Sequence, residues 1–260
     1  MAKNVAQFSF THTKTHRIIP YSMKNFKFAM VVSNVVIVLV LASSFLVAYF
    51  AVGKKESDSL ATNAIYKGDE QGDGVALMFN VYERADNVEK IMQTFQEYGM
   101  NCTFFVGGSW VAKNPNTLIK LHSNRFEIGN HGYLHRDHAK LSYDANVREI
   151  TLTGRLVTET LKDFEDYKQM TLFAPPSGSI GSAQMKACED LGYKVIMWTR
   201  DTIDWRDHDA DVIFARATKN LTAGELILLH PTDATVEALP RILDYLNVVG
   251  LKADVVSNVI

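Results

Sequence analysis

The sequence predicts an α/β fold, an irregular (β/α) barrel, preceded by one N-terminal transmembrane helix. Short runs that are apolar throughout recur along residues 75–230, and stretches with helical spacing lie between them. Strands that are apolar on both faces are typical of parallel sheets covered by helices. Six or more such units fit a barrel better than a small open sheet. An uncharged stretch near the N-terminus predicts the membrane helix.

The membrane helix is predicted over residues 28–52, which contain no charged side chain. At 1.5 Å of rise per residue, a helix of this length crosses a bilayer core of roughly 30 Å. The basic segment 1–27 precedes it, so the positive-inside rule predicts a cytoplasmic N-terminus and an extracytoplasmic C-terminal part. A cleaved signal peptide is the alternative, although the apolar run continues well past the small residues Ala42 and Ser44. We expect a single-pass signal anchor in the cell membrane.

Residues 53–72 are polar and irregular, and they are predicted to be a linker between the membrane and a folded domain at 73–260. Five of the 27 Lys and Arg residues lie in segment 1–27, which has no Asp or Glu. The rest of the chain contains the other 22 Lys and Arg residues and all 29 Asp and Glu residues, which gives it a net charge of −7. An acidic folded part argues against nucleic-acid binding. Cys102 and Cys188 are interpreted as separate buried thiols.

The folded domain is predicted to alternate strands and helices. The predicted strands are 75–80, 102–106, 126–130, 171–175, 194–198 and 225–230. The predicted helices are 86–98, 143–167, 182–191, 209–221 and 233–248. In the first helix, Val88, Ile91, Met92 and Phe95 mark one apolar face. Parallel strands bring their carboxyl ends to one edge, where folds of this class place their chemistry.

The most informative stretch is FEIGNHGYLH at residues 126–135, which puts His131 and His135 four residues apart just after a predicted strand. Two imidazoles at this spacing can face one metal ion if the segment is helical or tightly turned. The pair therefore predicts a metal hydrolase. A catalytic zinc site usually has three protein ligands, so the pair leaves open where the third ligand lies.

Polar or turn residues also follow other predicted strands. Asn80 ends the first strand, APPSG spans 174–178, DTIDW spans 201–205, and His230 ends the last strand. Each of these is weak evidence alone, because a lone histidine at a strand end is usually an ordinary hydrogen-bonded residue. Their order along the chain is the specific signal.

This order of motifs resembles the polysaccharide deacetylase family, also called the NodB-homology domain or carbohydrate esterase family four. The resemblance covers about residues 73–260 and implies an irregular (β/α) barrel of the NodB-homology type. The second to fifth family motifs match, in order, His131-Gly132-Tyr133-Leu134-His135, Ala174-Pro175-Pro176-Ser177-Gly178, Asp201-Thr202-Ile203-Asp204-Trp205 and Leu228-Leu229-His230.

The resemblance implies a role for each matched residue. His131 and His135 would hold zinc or another divalent ion, which polarises the acetamide carbonyl and acidifies a bound water. His230 would be the general acid, in company with Asp204 of the fourth motif. In the third motif, the N–H of Ser177 would help to hold the oxyanion. The sugar groove would be walled by Trp205 and by the turn residues Pro175 and Pro176.

The first motif departs from the family pattern. The family's Thr-Phe-Asp-Asp aligns with residues 78–81, so Asn80 stands at the base position and Val81 at the metal-binding aspartate. An amide cannot take up a proton near neutral pH, and an isopropyl group has no lone pair for a metal. The arginine that pairs with the base in the family is replaced by Ala174. Three changes at interacting positions indicate a remodelled site.

Two interpretations of the remodelled site follow. In the first, the protein still hydrolyses an acetamide C–N bond, and Glu83 or Asp86, with His138 a further possibility, supplies the missing ligand or base. In the second, it is a catalytically inactive protein that binds N-acetylated cell-wall polysaccharide of the peptidoglycan type or serves in envelope assembly. Zinc or another divalent metal would then be bound weakly or not at all. The oligomeric state stays open.

Overall fold

The computed structural model describes the backbone of residues 23–260, and the side chains of residues 28, 30–50 and 63–260. The chain forms two compact units, which divide between Lys54 and Lys55. Most of the predicted basic segment 1–27 lies outside the described residues.

The long N-terminal helix, α1, runs from Met23 to Asn63. Within it, the 21 residues Met30–Phe50 have a mean hydropathy of 2.5, and their side chains are exposed. Length and composition suffice to cross a membrane, and a signal sequence near an N-terminus has the same properties.

The folded domain begins earlier than the predicted boundary at residue 73. Residues 53–63 are helical, and the next two residues form strand β1, Ala64–Ile65, which pairs in parallel with Val195 and Ile196. The N–H of Gly68 then donates to the carbonyl of Gly224. The linker prediction for 53–72 therefore fails from residue 64 onward, because this short segment buries Ala64 and completes one edge of the sheet.

Among the described residues the sheet has nine strands, and all their pairings are parallel. After β1 the strands are β2 Gly74–Val81, β3 Thr103–Val106, β4 Glu127–Asn130, β5 Leu172–Phe173, β6 Lys194–Ile196, β7 Arg200–Asp201, β8 Leu226–Leu229 and β9 Lys252–Asp254. The order across the sheet is β1-β6-β5-β4-β3-β2-β8-β7, and β9 also pairs with β2. The sheet curls into an incomplete barrel, so the predicted fold class and all six predicted strands are confirmed.

Helices cover the sheet, and all five predicted helices of the folded domain are present. The helices after α1 are α2 Ala85–Tyr98, α3 Gly108–Lys113, α4 Pro115–Ser123, α5 Tyr143–Leu161, α6 Ser182–Asp190, α7 Asp204–Asp207, α8 Ala210–Thr218, α9 Asp233–Val249 and α10 Val256–Val259. Single-turn 3-10 helices lie at His138–Lys140 and Pro176–Gly178.

The side chains of β2 alternate between two apolar clusters, as the pleat of a strand requires. Val75, Leu77, Phe79 and Val81 belong to the larger cluster, which α2, α5 and α9 complete. Ala76 and Met78 belong to the smaller cluster inside the curled sheet. Asn80 shares the parity of Ala76 and Met78, so Asn80 and Val81 point to opposite faces of the sheet. This alternation decides what each of the two residues can contribute to a site.

Candidate functional site

A cavity of about 810 Å³ lies at the carboxyl ends of the strands. It brings together residues that are far apart in the sequence but follow β2, β4, β7 and β8. The sequence-predicted residues that line it are Asn80, Glu83, His131, His135, Trp205 and His230. Five motif residues and the candidate substitute acid Glu83 thus line one cavity at this edge of the sheet.

His131 is almost fully buried, and its Nδ1–H donates to the carbonyl of Ala174 at 2.7 Å. This bond fixes the ring orientation and leaves Nε2 free. The ring centroids of His131 and His135 are 5.5 Å apart, with the planes at 75°. Burial lowers the pKa of His131 well below its usual value, and burial also lowers the pKa of His135. Both imidazoles are therefore neutral near pH 7, the form in which they could bind a metal.

The histidine loop, residues 130–136, is held by side chains that sequence reasoning missed. The N–H of Gly132 donates to Asn130 Oδ1 at 2.9 Å. The buried carboxylate of Glu149, on α5, accepts from the N–H groups of Tyr133 and Leu134 at 2.9 and 2.8 Å. The place of Asn130 directly before His131 is a usable signal. Nothing in the helical pattern around Glu149 distinguishes it from a solvated acid.

Tyr82 is the third residue that the sequence did not single out, although it directly follows Val81. Its hydroxyl donates to the carbonyl of His131 at 2.5 Å and accepts from the N–H of His135 at 2.9 Å. Its ring lies edge-on to His135, with centroids 4.6 Å apart. Burial raises the pKa of Tyr82, so the phenol keeps its proton.

Asp204 of the fourth motif and His230 of the fifth form a hydrogen-bonded dyad. His230 Nδ1–H donates to Asp204 Oδ1 at 2.7 Å, and the N–H of His230 donates to Asp204 Oδ2 at 2.6 Å. Thr235 Oγ1 donates to Asp204 Oδ2 at 2.6 Å. The buried carboxylate is thus fully partnered, and it directs the free Nε2 of His230 to the cavity. A histidine held in this way can deliver a proton to a leaving group.

The first-motif residues do not complete a metal site. Val81 is fully buried in the larger apolar cluster. Asn80 Oδ1 is buried, and no described residue donates a hydrogen bond to it. Among the residues whose side chains the structure describes, no three His, Cys, Asp or Glu are arranged to share a metal ion. Two histidines alone fall short of the three protein ligands of a catalytic zinc, so the residues present do not fit a tightly held ion.

The candidate substitute groups lie in different places. Glu83 lines the cavity and is exposed. Asp86 instead pairs with Arg84 at 3.2 Å, and this hydrogen bond lowers the pKa of Asp86. His138 is buried with its ring 5.3 Å from that of Phe173, and it is not part of the cavity lining.

The turn from Pro175 to Ser177 adjoins the cavity through Ala174 and His131, but none of its three residues lines it. Trp205 does line the cavity and is 55% exposed. Three cavity residues, Arg84, His135 and His208, have positive φ angles between 48° and 54°. Such conformations each cost about 1–3 kcal/mol and cluster at functional sites.

The motifs, the parallel sheet and the histidine–aspartate dyad define a class of protein. Residues 67–196 match the model of the polysaccharide deacetylase family, and the chain belongs to this family. Protein YlxY of Bacillus subtilis is 33% identical over 186 residues, which are 72% of this chain and 57% of that protein. A peptidoglycan-N-acetylglucosamine deacetylase of Bacillus cereus is 29% identical over 193 residues, or 72% of this chain and 87% of that enzyme.

A solved structure is also similar. The crystal structure of a CE4 family pseudoenzyme from Bacillus anthracis superposes with a TM-score of 0.71 at 30% identity. The match covers 75% of this chain and 68% of that one. The family thus includes both deacetylases and a member that is described as a pseudoenzyme.

Proposed function

We propose that this chain is a membrane-anchored, polysaccharide deacetylase-like protein that binds N-acetylated cell-wall glycan of the peptidoglycan type without hydrolysing it. One observation carries the proposal: the base position is an amide and the metal position is a buried valine, while both motif histidines, Trp205 and the Asp204–His230 dyad are retained. Loss of a general base costs about 10²–10⁴-fold in rate. Zinc or another divalent ion would be bound weakly or not at all.

The proposed ligand follows from the groove and from the relatives. The exposed indole of Trp205 offers a flat apolar face of the kind that stacks on a pyranose ring. His230 and His135 provide polar groups in the same cavity that could contact an acetamido group. The deacetylase of Bacillus cereus acts on peptidoglycan N-acetylglucosamine, as its name states.

The proposed location is the cell membrane, with the N-terminus cytoplasmic and the domain after residue 63 extracytoplasmic. The exposed apolar helix Met30–Phe50 supports an anchor, and the basic residues before it support this orientation. Protease treatment of intact cells tests the orientation. It should remove the folded domain and leave an epitope at the N-terminus protected.

Binding is tested with the full chain in detergent, by calorimetry with chitotetraose and with muropeptide fragments. We expect measurable affinity and no acetate release over hours. Trp205→Ala should weaken binding about tenfold, because stacking area is lost. The matched control is Leu152→Ala, an exposed apolar residue on α5, which should bind like the wild type. Acetate release at an enzymatic rate would contradict the loss of turnover.

The second candidate function is hydrolysis with altered machinery, and one observation favours it: Glu83 lines the same cavity as both histidines. In that case Glu83→Gln would abolish acetate release, whereas Glu70→Gln, outside the cavity, would not. If the wild type releases no acetate, the double variant Asn80→Asp and Val81→Asp tests whether the remaining dyad can still support hydrolysis.

A further inference from the structure

We propose that Tyr82 is a positioning residue that ties the end of β2 to the histidine loop, so that the groove keeps its binding form without a shared metal ion. This inference deepens the proposed glycan-binding function and rests on it. In a two-histidine, one-carboxylate site, the ion itself connects the strand that carries the carboxylate to the loop that carries the histidines. Here the carboxylate position is Val81, and the next residue makes the connection.

The tie consists of two hydrogen bonds from a single hydroxyl. The Tyr82 hydroxyl donates to the carbonyl of His131 and accepts from the N–H of His135, so it spans both ends of the motif. The ring also contacts both imidazoles, at centroid distances of 5.2 and 4.6 Å. Since the one phenolic proton is directed to a main-chain carbonyl, the hydroxyl serves the backbone of the loop.

The ring of Tyr82 occupies a notch that only glycine provides. A Cβ atom at Gly107 would lie 2.2 Å from a ring carbon of Tyr82. Gly107 has φ −78° and ψ 137°, which any residue can adopt. The backbone therefore does not require glycine here, and the space that the tyrosine ring needs explains its presence.

The other anchors of the loop come from different elements. The N–H of His131 donates to Val106 of β3, and that of Gly108 on α3 donates to the carbonyl of Gly132. Glu149 holds the middle of the loop from α5. Among the described residues, Tyr82 is the contact that joins this loop to the segment after β2. A loop fixed from every side loses little freedom when a ligand binds, which favours affinity.

The test uses the full chain in detergent with a chelator present, and it compares wild type, Tyr82→Phe and Gly107→Ala. The first variant removes both hydrogen bonds and keeps the ring, and the second displaces the ring and keeps the hydroxyl. Tyr143→Phe is the matched control, because it removes an exposed hydroxyl bond to Asp190. Hydrogen exchange of the His135 amide and affinity for chitotetraose are the two readouts.

We expect both variants to exchange the His135 amide at least about tenfold faster than wild type and to bind the glycan about tenfold more weakly, whereas Tyr143→Phe changes neither quantity. An unchanged exchange rate of the His135 amide in Tyr82→Phe would show that the Tyr82 hydroxyl does not hold the loop. Wild-type glycan binding that is present without the chelator and lost with it would also overturn the proposal, since an ion would then hold the loop. If wild type binds no glycan at all, the proposed function fails, and the exchange rates still decide the role of Tyr82.

Discussion

Val81 and Asn80 are adjacent in the sequence, yet the pleat of β2 sends them into different surroundings. Val81 packs in the cluster between sheet and helices, and Asn80 points into the curled sheet, where none of the described side chains or main-chain groups donates to its Oδ1. The two substitutions therefore have separate physical consequences. The amide removes a proton acceptor from the cavity, and the valine adds an apolar contact to the core.

We predict that Val81→Asp destabilises the metal-free protein by about 3 kcal/mol or more, because it places a carboxylate in an apolar cluster without a cationic partner. Val81→Ala is the control, with an expected loss of about 2 kcal/mol from reduced burial alone. Urea denaturation with a chelator present measures both. Equal losses in the two variants would show that residue 81 has access to solvent or to a partner.

The buried histidines predict a stability that falls in mild acid. Burial lowers the pKa of His131 and of His138 in the folded chain, whereas an unfolded histidine titrates near 6.5. Below about pH 6.5 the unfolded state therefore binds more protons, and the free energy of unfolding decreases as the pH falls.

Urea denaturation between pH 7.5 and 5 should show this decrease. The decrease in the free energy of unfolding should be smaller in the variant His131→Asn, which has no imidazole at this position to protonate. A parallel pH dependence in the two proteins would contradict the assignment to His131.

Part of the site could be predicted from residue types and spacing. The motif histidines, Asn80 and Trp205 lie where their order along the chain placed them. Tyr82 and Glu149 could not be found in this way, because their roles depend on main-chain groups of a loop more than a dozen residues distant. Hydrogen bonds to the backbone leave no pattern of side-chain types in a sequence.

At the scale of elements, hydrophobicity predicted the strands inside the sheet and missed those at its margins. All six predicted strands, including the two-residue β5 and the three-residue β6, lie within the strand order, whereas β1 and β7 are its two ends and β9 pairs with β2 outside that order. The helices α3 and α4 follow one another around Asn114 and Pro115, and this break interrupts the helical period between them. The predicted end of α5 at residue 167 was six residues too late, since Phe164 and Tyr167 pack on the core from a turn rather than from the helix.

The contact between α5 and the histidine loop gives a prediction at this scale. Glu149→Ala should lower the free energy of unfolding by about 2–3 kcal/mol, because two N–H groups lose a charged acceptor. Glu159→Ala, on the exposed face of the same helix, should change it by less than about 0.5 kcal/mol. Chemical denaturation measures both variants. If Glu149→Ala were as stable as the control, water would be a sufficient partner for the two amides.

At the scale of the whole molecule, the curl of one parallel sheet brings together residues that are far apart in the sequence, such as Asn80 and His230, which are 150 positions apart. β1 forms one edge of this sheet. β1 supplies the carbonyl of Ile65 to the N–H of Met197 at 2.7 Å, and Asp69 donates to the carbonyl of Val259 at 2.7 Å. Residues 64–69 are therefore part of the domain.

Two truncated chains test this boundary. A chain that begins at residue 73 should melt at least about 5 °C below one that begins at residue 55, because it lacks β1 and its hydrogen bonds. Differential scanning calorimetry measures both. Equal melting temperatures would show that residues 64–72 do not stabilise the domain and act only as a linker.

The notch at Gly107 also bears on how such a site could change over evolutionary time. As long as the ring of Tyr82 fills the notch, every side chain at position 107 meets it within 2.2 Å, so the two positions are expected to vary together. If the ring of Tyr82 is lost, position 107 no longer has to be glycine. An aromatic residue directly after the degenerate first motif, combined with glycine at this point after β3, is therefore a marker that can be sought in sequences alone.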